Sequence, residues 1–180
     1  MPRRRRFLSV TGLWAMFTIG VASAIVGPSL PALVQEFAIS WGHAGRLFAA
    51  QYGGKLLAVA IIWAGGRRLA AGAIAGIGGI VLATGLLLVG AVPSFSLVLA
   101  AVLLYGLGHG SLDVGCNSLL TQVLQPAPGE RGTVTAGLNV LHLFFGIGAL
   151  SGPVVVAVRQ TRLALGRGIA SKILVEPLEG

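Results

Sequence analysis

The chain has 180 residues, of which 55% are hydrophobic and only 10% charged, with a mean hydropathy of +0.88. Water-exposed surfaces take roughly 25% charged residues, so a soluble globular domain is excluded and much of this surface must face lipid. The net charge of +8 is carried by Arg3 to Arg6, Arg67 with Arg68, and a scatter near the C-terminus. All of these lie beside or between apolar runs, which excludes a nucleic-acid patch.

Five apolar runs approach or exceed the ~20 residues that a helix needs to cross a bilayer. They are 7–27, 47–64, 69–92, 97–120 and 134–158. The runs are continuous, without the alternation of barrel strands, so the fold class is an all-α integral membrane protein of about five transmembrane helices. Residues 1–6 form a basic N-terminus, 7–158 the membrane domain, and 159–180 a basic polar tail that holds no sixth apolar run.

The first run also has the outline of a secretory signal, but four further apolar runs follow it, so it is read as the first helix. Lys/Arg bias places the N-terminus in the cytoplasm of a multi-pass cell-membrane protein. The loops at Arg67–Arg68 and Arg131 then fall on that side, and the loop around Glu36 outside. The basic tail falls outside, against the same rule. The 28 glycines are spread through the apolar runs, where small residues let helices approach closely. Gly72 with Gly76, and Gly148 with Gly152, have the four-residue spacing of such contacts. The third run carries no charge, which suits a peripheral support.

One stretch of the fourth run breaks the pattern. In "YGLGHGSLDVGCNSLL", residues 105–120, His109, Asp113 and Asn117 recur every four residues and share a helix face. A carboxylate at bilayer depth costs roughly 2.5–3.5 kcal/mol, so the stripe must face a bundle interior or a water-filled cavity. Asp113 is there either for packing, paired with His109 or Lys55, or for binding a solute or proton. In the fifth run Asn139 and His142 also share a face, as interhelical hydrogen-bonders or as ligands. Gln51 and Tyr52 in the second run and Trp14 in the first are weaker candidates. No nucleophile–base arrangement and no metal-ligand spacing is present, and the single cysteine, Cys116, offers no disulfide; neither an enzyme, a cofactor nor a metal site is expected.

The chain resembles the N-terminal half of a major facilitator superfamily transporter, closest to the sugar branch that includes fucose–proton symporters. "GPSLPALVQEFAIS" is similar to the superfamily's first-helix exit. The acid four residues before Asn117, followed by "RGTVTAGLNVLHLFFGIGALSGP", resembles that branch's fourth and fifth helices. Two positions depart from it. "AIIWAGGRRLA" keeps Gly66, Arg67 and Arg68 of the loop that steadies the family's two conformational states, but puts Trp63 at the aspartate position. Gly27 stands where fucose-type members carry an acid.

The resemblance implies an incomplete six-helix half of a major facilitator fold and secondary transport of a sugar or similar small polar solute, with protons as the coupling ion. It also implies a solute or proton site drawn from His109, Asp113, Asn117, Asn139, His142 and Gln51. Gly66, Arg67 and Arg68 would form the conformational loop. The partners would be the lipid bilayer, the solute and protons, together with a missing C-terminal half or a second copy in a homodimer. Efflux of drugs or metabolites by the same superfamily is a second reading. An inactive, truncated membrane fragment is a third.

Overall fold

The computed structural model describes residues 3–65, 69–124, 133–151, 154–158 and 161–165. Among these the chain forms α1 (Arg3–Glu36), a short α2 (Trp41–Ala44), α3 (Arg46–Gly65), α4 (Ala71–Val89), α5 (Phe95–Val123) and α6 (Thr133–Leu150). A two-stranded antiparallel hairpin follows, β1 (Val154–Val158) with β2 (Thr161–Leu165), paired from Val154 opposite Leu165 to Val158 opposite Thr161.

Four segments are long and apolar enough to cross a membrane: Phe7–Glu36, Trp41–Gly65, Ala71–Val89 and Phe95–Val123. The fifth expected span, 134–158, is cut short. Its helix stops at Leu150, and Val154–Val158 is strand. A run of valines after Pro153 has the β-branched character that disfavours helix and favours strand. The expected polar tail likewise begins with a strand, Thr161–Leu165.

The first helix errs in the other direction. It runs nine residues past Gly27, with Pro28 and Pro31 inside it. Each proline removes one backbone donor, but apolar helices tolerate this where nearby hydroxyls supplement the backbone bonding. Between the prolines the Ser29 hydroxyl donates to the Ile25 carbonyl at 2.7 Å, a bond added to the ladder. The carbonyls that Pro28 and Pro31 leave without an i+4 amide are those of Ala24 and Gly27. The helix ends in a left-handed residue, Ala38 at φ 49°, with the Ile39 amide bonded back to the Val34 carbonyl at 3.1 Å.

α5 is the hub, packed against α3, α4, α1 and α6, while α1 and α6 form a second close pair. Glycines make this geometry possible. Gly106 and Gly110 put one side of α5 against the backbones of Gln51 and Lys55 on α3. Gly108 and Gly115, on the opposite side, meet Leu82 and Ala75 on α4. A Cβ added at Gly78 would lie 2.5 Å from the Leu112 nitrogen, and one at Gly115 would lie 2.5 Å from the Ala75 nitrogen. These pairings make α3 parallel and α4 antiparallel to α5, as alternate crossing of a bilayer demands.

The expected contacts at Gly72 and Gly76 are not made. Both glycines are exposed, with nothing within 4 Å of an added Cβ. The buried stripe of α4 is instead Ala71, Ile74, Gly78, Leu82 and Gly85. Gly148 does pack, against Phe17 of α1, whereas Gly152 lies outside the described residues. Spacing alone cannot say which of two four-residue pairs faces the neighbour.

The outer surface is apolar. Leu56, Ile80, Leu87 and Leu150 are each about 70% exposed or more (71%, 70%, 76% and 69%). An apolar surface this extensive is foreign to a soluble monomer and suits contact with lipid. α4 carries no charged side chain and buries little beyond its Ala71, Ile74, Gly78, Leu82 and Gly85 stripe, in keeping with a peripheral position.

Candidate functional site

Polar side chains meet where α5 faces the groove between α1 and α3. At its centre is the expected stripe. The Asp113 carboxylate accepts a hydrogen bond from the Asn117 side-chain amide at 2.8 Å, and the same amide reaches the Asp113 backbone carbonyl at 2.9 Å. Asp113 and Asn117 are half-buried, whereas His109, one turn earlier, is only 4% exposed. Its ring lies edge-on to Tyr105, at 5.9 Å and 90° between planes.

α3 brings two residues to this groove. Gln51 is buried at 4% exposure, its backbone carbonyl against Gly106. Lys55 is half-buried, and its backbone touches Gly110, three residues before Asp113. The Lys55 ammonium rests 5.0 Å over the Tyr52 ring of its own helix, a favourable cation–π placement. It interacts electrostatically with both Asp113 and His109 without closing to the 4.0 Å of a contact ion pair.

Four buried polar atoms among the described residues have no hydrogen-bond partner: the hydroxyls of Ser9, Ser23 and Tyr105, and His109 Nδ1. Three of them belong to this region. The Tyr105 hydroxyl approaches Ser23 of α1 without forming a well-directed hydrogen bond. An unsatisfied buried polar group costs about 1–3 kcal/mol, so such a cluster at a helix junction calls for water or a ligand.

Neither Tyr105 nor Ser23 stands out in the sequence. Serine and tyrosine are ordinary inside apolar helices, and only the packing of α1 on α5 makes them neighbours. Lys55 stands out in the sequence only as a packing partner for Asp113.

The other expected site residues lie elsewhere. α6 packs on α1 through Leu141, Phe145 and Gly148, which turns Asn139 and His142 to its exposed side. They are not brought to Asp113. Trp14 is 62% exposed and stacks edge-on against Phe17, and Tyr52, at 58% exposed, serves as the platform under Lys55. Gly66, Arg67 and Arg68 lie outside the described residues.

Two cavities open elsewhere on the bundle. One, of about 470 Å³, is almost wholly apolar and lies between α1, α5 and α6 around Leu13, Leu120 and Val140, with Ser9 on its wall. The other, of about 540 Å³, lies between α3, α4 and α5 near Trp63, Ser118 and Gln122. Neither is lined by Asp113, His109 or Lys55.

The FeoA domain family matches residues 147–177, a segment that takes in the last turn of α6 and both strands. No curated protein and no solved structure matches the chain.

Proposed function

We propose that the chain is the membrane-embedded part of a secondary transporter for a small polar solute, with Asp113 at the centre of its binding site. The observation that carries this reading is a carboxylate within the central helix, bonded to Asn117, one turn from the buried His109, and near Lys55 of a second helix. Ionisable groups inside membrane helices are rare and line solute or ion pathways, and secondary transporters bind near the bilayer midplane. The resemblance to the sugar branch of the major facilitator superfamily makes a sugar the first solute to test. An efflux protein for apolar drugs would need an apolar, aromatic groove, and this one is polar.

The N-terminus is cytoplasmic in this reading, from the Arg3–Arg6 cluster and the Arg67–Arg68 loop. A thiol introduced by Ser40→Cys, at an exposed position before α2, should react with an impermeant maleimide in intact cells. The native Cys116 is buried and should give no background. Labelling only after lysis would reverse the topology.

The functional test is uptake by proteoliposomes in which the chain is complemented by a second helical half. Saturable entry of hexoses or 6-deoxyhexoses supports the sugar reading. Saturable movement of apolar cations alone would favour efflux. The hairpin and the FeoA match after α6 favour a second reading, in which the helical body is joined to an unrelated segment and moves no solute by itself. Absence of uptake under every gradient would leave that reading standing.

A further inference from the structure

Apart from Glu36 at the last residue of α1, Asp113 is the one acid in the described helices, and Lys55 the one lysine or arginine away from a helix terminus. Two such rare charges, of opposite sign, occupy facing positions on α3 and α5. The contact of Gly110 with the Lys55 backbone sets them one turn apart: an added Cβ at Gly110 would lie 2.9 Å from the Lys55 carbonyl oxygen. We propose that Lys55 is the standing counter-charge of Asp113, so that the site is kept neutral by an internal ammonium rather than by a bound proton.

Each charge is held on its own helix, Lys55 over the Tyr52 ring and Asp113 by Asn117, and the pair stays open. His109, one turn before Asp113 on the same helix, is buried and its Nδ1 has no hydrogen-bond partner. An open pair can be bridged by the hydroxyls of a polar solute, with Lys55 and Asp113 acting as donor and acceptor. This deepens the transporter reading and rests on it for its meaning: solute would cross without proton uptake at Asp113, and the fold would work as a facilitator. It also accounts for Gly27, since a site balanced by Lys55 has no need of the second acid that fucose-type relatives carry on the first helix.

Competing sources of neutralisation are few. α3 presents Lys55 to the groove, with Tyr52 beside it on the exposed side, and α5 presents Tyr105, His109 and Cys116. α1 between residues 7 and 35 and the whole of α4 carry no titratable side chain, and His142 of α6 is exposed on the side away from α1.

The test reads the protonation of Asp113 directly and needs no transport. N,N′-dicyclohexylcarbodiimide attacks protonated carboxyl groups from the membrane phase, and peptide mass mapping separates Asp113 from Glu36, Glu130, Glu176 and Glu179. With the full chain in liposomes at pH 7.5, wild type and Lys55→Arg should label slowly at Asp113. Lys55→Met should label at least about tenfold faster once the opposite charge is gone. Should Lys55→Met fail to insert, Lys55→Gln takes its place in the same comparison. Complete labelling of wild type at pH 7.5, or equal rates in wild type and Lys55→Met from pH 5 to 9, would overturn the counter-charge. Either result would leave the transporter reading to its own uptake test.

Discussion

Leucine at Gly108 should break the bundle, while leucine at Gly72 or Gly76 should leave it intact. At Gly108 the added Cβ meets the backbone of α4, 2.5 Å from the Leu82 Cα and 2.7 Å from the Val81 carbonyl carbon. No flexible side chain stands there to give way, so α4 must move as a whole. Overpacking a well-filled site costs about 1–3 kcal/mol when side chains can adjust, and a displaced backbone takes the larger end of that range or more. Helix pairs in lipid depend on such close contact because no hydrophobic force drives them together. Gly72 and Gly76 lie on the same helix with open space around them, so their leucines would only enlarge the outward apolar face. Size-exclusion profiles and melting temperatures in detergent should separate the two classes clearly. Equal behaviour of Gly108→Leu and Gly76→Leu would mean that α4 does not pack on α5 as described.

Asp113→Asn should reduce solute uptake by the complemented chain at least about tenfold, with membrane abundance near that of wild type. The amide keeps the carboxylate's shape and one acceptor for Asn117, so the packing penalty stays near the roughly 1 kcal/mol of an ordinary hydrogen bond. What is lost is the charge. Lys55 remains half-buried on the Tyr52 ring, without the opposite charge near it and without the strong acceptor for a solute hydroxyl. Charge-assisted hydrogen bonds are roughly twice as strong as neutral ones, and two or more such bonds per solute supply the expected factor. Asn139→Ala and His142→Ala, on the exposed side of α6, are the natural controls and should change uptake little. Wild-type uptake by Asp113→Asn would reduce that residue to a packing role.

Much of the chain's character follows from composition and hydropathy. A chain with so few charges cannot cover itself in water, and its long apolar runs are long enough for helices whatever their neighbours. Placing Asp113 toward an interior was equally secure, because the penalty for a lipid-facing carboxylate does not depend on the fold. The ends of the helices were less legible. Pro28 and Pro31 read as a turn in sequence, yet α1 continues through them. The valines after Pro153 read as span and form a strand.

Contacts between helices lay beyond the sequence. Glycines recur on several faces of α4 and α5, and only the packed bundle shows that Gly78, Gly85, Gly108 and Gly115 make the contact between these two helices while Gly72 and Gly76 are free. The same holds for the site. His109, Asp113 and Asn117 share a face by helical period alone, a property of one helix that no neighbour can alter. Whether Asn139 and His142 join them depends on the rotation of α6 about its axis, which its contact with α1 settles by turning Leu141 inward. Lys55, Ser23 and Tyr105 come to the site for the same reason: residues far apart in sequence become neighbours only when glycine surfaces let three helices close on one another.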